Sequence, residues 1–124
     1  MRLILTFLII LFVNILYAQD QSNPKATLES LFKMARTKDY SNIHKLCDPE
    51  VESDGDVKRI CNLMNGTDKN KEAIYMNMRL AYVIDKIEYK GNMARVPFRF
   101  GVHCKETEEM RLIKRDDKWY LHSF

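Results

Sequence analysis

The chain has 124 residues, 46% hydrophobic and 30% charged, and its 20 basic against 17 acidic side chains leave a formal charge of +3. A balance this small and this mixed excludes the broad cationic surface on which nucleic-acid binding rests. The length suits one domain with one core and gives no reason to expect a second.

Arg2 is followed by Leu3 to Val13 with Thr6 as the one polar interruption, then Asn14 and the segment Ile15 to Asp20. A charged start, an apolar middle, a small residue and a polar exit are the order of an export signal. The stretch is shorter than the roughly 20 apolar residues a membrane-spanning helix requires. Cleavage is expected after Ala18, giving residues 1–18 as signal peptide and 19–124 as one mature domain. Leu16 is bulkier than the residue usual at its place before such a cut, so a retained anchor stands as the alternative. The nearest cysteine is Cys47, which leaves no lipid-attachment signal. The expected product is exported, periplasmic or extracellular, with no stable membrane insertion and no nucleic-acid partner.

Asn23-Pro24 reads as a helix start, an amide cap with proline in the first turn. Leu28, Leu31, Phe32 and Ala35 recur as one stripe of an amphipathic helix. A second, shorter stripe of Tyr40, Ile43, His44 and Cys47 predicts a second helix ending at Asp48-Pro49, since the residue before proline is pushed out of the α region. After the acidic segment 50–56 a third stripe of Val57, Ile60, Cys61 and Met64 predicts a third helix stopping at Asn65-Gly66. Residues 67–71 read as loop, and for 72–78 the pattern leaves a helical turn and the lead into a strand both open.

From Leu80 the chain turns β-branched and aromatic. Leu80 to Tyr89 and Ala94 to Phe100 read as two strands joined at Gly91-Asn92, with Ala94, Val96, Phe98 and Phe100 on one face and Arg95, Pro97 and Arg99 on the other. Pro97 cannot donate to a ladder and predicts an edge or a bulge. Gly101 reads as a second bulge, after which the strand continues to about His103. Two further strands, 106–115 and 118–124, meet at Asp116-Asp117. The class is α+β: three N-terminal helices on a four-stranded antiparallel sheet.

Three cysteines in an exported chain leave two readings open. Cys47 and Cys61 can close a disulfide, or all three can pack as small apolar thiols. Cys104 is unpaired in either case. Without a Cys-x-x-Cys or His-x-x-Cys pair, neither a metal site nor a cofactor is expected. Residues 50–56 place acids at alternate positions as a calcium loop does, but Cys61 stands where that loop needs a bidentate glutamate. The segment reads instead as a solvated loop capping the third helix.

Three stretches carry a likeness to a known family: Pro24 to Phe32 with Lys38-Asp39-Tyr40, Ile87 to Val96, and Leu112 to Leu121. On these the chain resembles the nuclear transport factor 2-like (cystatin-like) superfamily, and within it small exported bacterial domains of unknown function. The resemblance implies a curved antiparallel sheet wrapped over the helices as a cone, whose mouth holds a small ligand in some relatives. Asp117 stands where relatives usually carry glycine, which puts the turn type in question. Enzymes of the superfamily, such as isomerases and dehydratases, keep an acid-base pair in the cone, where low dielectric shifts pKa values. The titratable groups available here are His44, Tyr82, Asp85, His103 and His122. His44 with Asp85 or Tyr82 is the candidate pair, and Phe98, Phe100, Trp119 and His44 are candidates for a pocket lining. His103 and Cys104, if on a strand, point to opposite faces and cannot cooperate. The expected function is a non-enzymatic module binding an unknown small ligand or protein. An isomerase- or dehydratase-like enzyme and a homodimer through the sheet face are the alternatives.

Overall fold

The computed structural model describes residues 20–50, 55–84 and 86–124. The export segment 1–18 with its cut, residues 51–54 of the acidic loop and the candidate Asp85 lie outside them.

The first helix, α1, runs Pro24–Thr37, and Asn23 Oδ1 accepts the Ala26 N–H at 2.8 Å. Its expected stripe is its buried one: Leu28, Leu31, Phe32 and Ala35 are all at or below 1% exposure. Two polar side chains fasten its start to the sheet. The Thr27 hydroxyl and the Gln21 amide both donate to the Trp119 carbonyl, at 3.1 and 3.0 Å.

The second stripe forms one 3-10 turn, Ile43–Leu46, in place of an α-helix. At three residues per turn the buried pair becomes Ile43 and Leu46, and His44 rotates out to solvent. Helix α2, Gly55–Cys61, buries Val57 and Ile60 and runs into a 3-10 turn, Leu63–Asn65. Helix α3, Asp68–Met78, covers residues expected as loop as well as the undecided 72–78. The Thr67 hydroxyl accepts the Asn70 N–H at 3.1 Å and caps it.

The sheet has five strands rather than four: β1 Tyr82–Val83, β2 Glu88–Lys90, β3 Met93–Phe100, β4 Glu106–Arg115 and β5 Lys118–Ser123. They run antiparallel in the order β1-β3-β4-β5, and β2 shares with β1 the same edge of β3. The single long strand expected from Leu80 to Tyr89 is therefore broken. Pro97 lies opposite the break: its carbonyl accepts the Ile84 N–H at 3.1 Å, but it has no N–H to return, so pairing stops there. The sequence Gly91-Asn92 turns β2 into β3 with Gly91 at φ +60°.

Gly101, at φ +101°, ends β3, so the strand does not continue to His103. His103 and Cys104 sit in a tight turn instead, where the Cys104 N–H donates to the Gly101 carbonyl at 3.0 Å. At the β4–β5 turn Asp116 and Asp117 are both left-handed, φ +48° and +65°. Aspartate tolerates that region better than most side chains.

The core lies between the helices and one face of this curved sheet. Ala94, Val96 and Phe98 from β3, Met110 and Leu112 from β4 and Trp119 and Leu121 from β5 meet the α1 stripe there. A disulfide joins Cys47 to Cys61, 14 residues apart, tying the chain beside β5 to α2. Removing it from the folded protein enlarges the unfolded ensemble. The paired variant Cys47→Ser, Cys61→Ser is expected to lose about 2 to 3 kcal/mol. Urea unfolding of variant and parent checks this; equal midpoints would overturn it.

Candidate functional site

Among the described residues, Asp48, Glu50, Arg115 and His122 gather where the chain leaves the 3-10 turn. Cys47 makes a parallel bridge to Leu121, and the Asp48 N–H donates to the Leu121 carbonyl at 3.1 Å. Pro49 then stops the chain from extending the sheet further. This anchors Asp48 beside β5, with its carboxylate wholly removed from solvent.

Arg115, the last residue of β4, meets that carboxylate with two nitrogens: Nε to Oδ1 at 2.8 Å and Nη2 to Oδ2 at 3.2 Å. Its Nη1 also lies 2.8 Å from Glu50 Oε2. His122 Nδ1, from β5, lies 3.2 Å from Asp48 Oδ2, and the Glu50 N–H donates to Oδ1 at 3.1 Å. Burial alone would raise the pKa of the Asp48 carboxyl. The donors from Arg115, the Glu50 backbone and His122 outweigh it and hold the carboxyl below its ordinary range. The same contacts, led by the hydrogen bond to Asp48, push Arg115 further up.

A carboxylate on one ring nitrogen of a histidine fixes the ring's orientation and leaves the other nitrogen to exchange protons. Here Arg115 spans both oxygens of Asp48 and already neutralises most of the charge that would polarise the imidazole. The cluster is first a tie between three segments of chain, and second a place where His122 is held in one pose.

Of the candidate acid-base pair, the described residues His44 and Tyr82 are not brought together. His44 is exposed on the 3-10 turn at the β5 side of the sheet, and Tyr82, 50% exposed, is on β1 at the opposite edge. Three strand spacings separate β1 from β5, about 14 Å. Phe98 is fully buried, its ring 5.5 Å from Phe32, 5.4 Å from Phe100 and 6.2 Å from Phe124. Trp119 is buried with its ring edge-on to Tyr89 at 5.9 Å. These rings pack on one another.

Of the surface depressions formed by described residues, two have well-defined linings. One, of about 490 Å³, lies between the end of α1 and α3 and includes Lys38, Tyr40, Met64 and Glu72. The other, of about 620 Å³, lies on β2, β3 and β4 and includes Glu88, Lys90, Met93, Arg95 and Arg111. His44, Tyr82, Phe98, Phe100 and Trp119 line neither. Among the described residues no three His, Cys, Asp or Glu side chains are grouped to hold a metal ion, and no helix is long and apolar enough to cross a membrane.

The fold is similar to that of solved structures. A designed protein of the nuclear transport factor 2-like type matches with a TM-score of 0.50 at 18% identity, over 77% of this chain and 89% of its own. The fold is nuclear transport factor 2-like. A SEC-C motif containing protein from Rhodopseudomonas palustris matches with a TM-score of 0.52 at 20% identity, over 82% of this chain and 76% of its own. At these identities the likeness is one of fold alone. No protein-family profile matches the chain, and no curated protein matches it in sequence.

Proposed function

We propose that this chain is an exported binding domain of the nuclear transport factor 2-like superfamily that works through its outer surface. The observation carrying this reading is the filling of the sheet's hollow. Phe32 and Phe98 are at or below 1% exposure, and Val96, Leu112 and Leu121 are at zero. Members of this fold that act on small molecules need that space for a ligand and for an acid-base pair. Export is supported by the order of residues 1–18 and by a disulfide of the kind that persists in oxidising compartments.

Dissolved xenon tests the hollow, because it enters dry apolar cavities and shifts the methyl resonances that line them. The methyls of Val96, Leu112 and Leu121 are expected not to move. Saturable shifts there would return the reading to an interior ligand. Fractionation of tagged protein, with the mature chain starting at Gln19 and lacking two protons relative to the reduced mass, tests export and oxidation. Recovery of the uncut, fully reduced chain inside the cell would overturn both.

The contact between Asp48 and His122 favours a second reading, acid-base chemistry at the sheet edge. Diethyl pyrocarbonate should then modify His122 faster than the exposed His44 and His103. Modification at the same rate or more slowly would remove this reading.

A further inference from the structure

We propose that the outer face of the sheet carries a site for a compact oxyanion, held between Arg95 and Arg111. This rests on the reading of a surface-acting binding domain and gives it a ligand class. Arg95 and Arg111 are directly opposite in the β3–β4 register, and both are exposed. Like charges in that relation repel across one strand spacing, at about 5 Å between Cβ atoms.

The fold relieves the repulsion only in part. Arg95 Nε lies 3.7 Å from Glu109 Oε1, with both side chains about half exposed. Among the described residues Arg111 has no ion-pair partner. The contrast is with Arg115, four residues along the same strand, whose carboxylates lie at 2.8 Å. This chain matches a guanidinium with an acid where the fold needs it and leaves Arg111 unmatched beside a second guanidinium.

The two arginines, with Lys90, line the 620 Å³ depression, and Glu88 is the one acid among its lining residues. Ser123 stands opposite Arg111 in the β5 register, adding a hydroxyl to the neighbourhood. An oxyanion placed between the guanidiniums accepts planar, paired hydrogen bonds from each and cancels their repulsion. Glu88 is opposite Arg95 on one side and Glu109 is paired with it on another. An extended polyanion would meet those carboxylates, whereas a small ligand fits between them. A phosphoryl group and a cluster of carboxylates share the required chemistry.

Titration of the mature protein with pyrophosphate and, separately, with citrate tests this by NMR at constant ionic strength against chloride. Saturable one-to-one shifts centred on Arg95 and Arg111 are expected, and the tighter ligand identifies the source as phosphoryl or carboxylate. Arg111→Gln should weaken binding at least tenfold while Arg36→Gln, on the exposed side of α1, leaves it unchanged. Arg95→Gln provides a second variant, and the thermal midpoint of each checks folding. Linear shifts that never saturate, or parental affinity in both variants, would overturn the site. Neither result bears on the xenon experiment, so the loss of this site and the loss of the surface-acting reading are separable.

Discussion

Phe98→Ala is expected to lower the free energy of unfolding by about 4 kcal/mol, the cost of deleting a fully buried aromatic ring from a core that collapses only in part. Phe98 is at zero exposure and packs near rings from α1, from Phe100 two residues along its own strand and from the C-terminus. Domains of this size unfold with about 5 to 15 kcal/mol, so the variant would sit near the edge of folding. Phe98→Leu, which keeps much of the volume, should cost roughly 1.5 kcal/mol. Urea unfolding of the three proteins tests the order, and a Phe98→Ala midpoint equal to the parent's would mean the ring is not a core element. The same variant should admit xenon where the parent does not.

Asp48→Ala is expected to cost about 3 to 4 kcal/mol at neutral pH, because removing one member of a buried ion pair leaves its partners without their counter-charge. Solvent softens the loss, since the Arg115 side chain is 20% exposed. The effect depends on pH with a definite sign. The folded carboxyl titrates below its unfolded counterpart, so its stabilisation is fully present above about pH 4 and fades as pH falls toward and through the folded value. The stability gap between parent and variant should therefore be wide at pH 7 and at pH 5, and smaller at pH 3. A gap of constant width would show that Asp48 acts through packing and not through charge.

Local features were legible in the sequence where each residue's fate depended on its near neighbours. The α1 stripe, the Asn23 cap, the Gly91-Asn92 turn and the alternation of Ala94, Val96 and Phe98 are of this kind. The 3-10 turn was not, because periods of 3.0 and 3.6 differ by less than one residue over so short a segment, yet the difference moves His44 from the core to solvent. Helix α3 hid for another reason. Among its residues only Met78 is buried, so it shows no stripe, and its one strong sign is the Thr67 cap.

The charged cluster was hidden by distance. Arg115 and His122 lie 67 and 74 residues beyond Asp48, and the parallel bridge that joins them belongs to no local pattern. Asp48-Pro49 announced a stop and did not announce an ion pair. His122 was visible as a titratable group, but its partner was not. The proposed oxyanion site depends on register in the same way. Arg95 and Arg111 become neighbours only when β3 and β4 are paired, and a slip of one residue would part them.

The break between β1 and β2 also bears on how this chain behaves in company. An open sheet edge is a template on which another molecule can lay its own backbone, and long, flat, apolar edges seed insoluble fibres. Here that side offers two residues, a gap opposite Pro97, and then three residues carrying Glu88 and Lys90. Neither run is long enough to hold a foreign strand in register. A proline and an interruption thus leave this edge a poor template for a foreign strand.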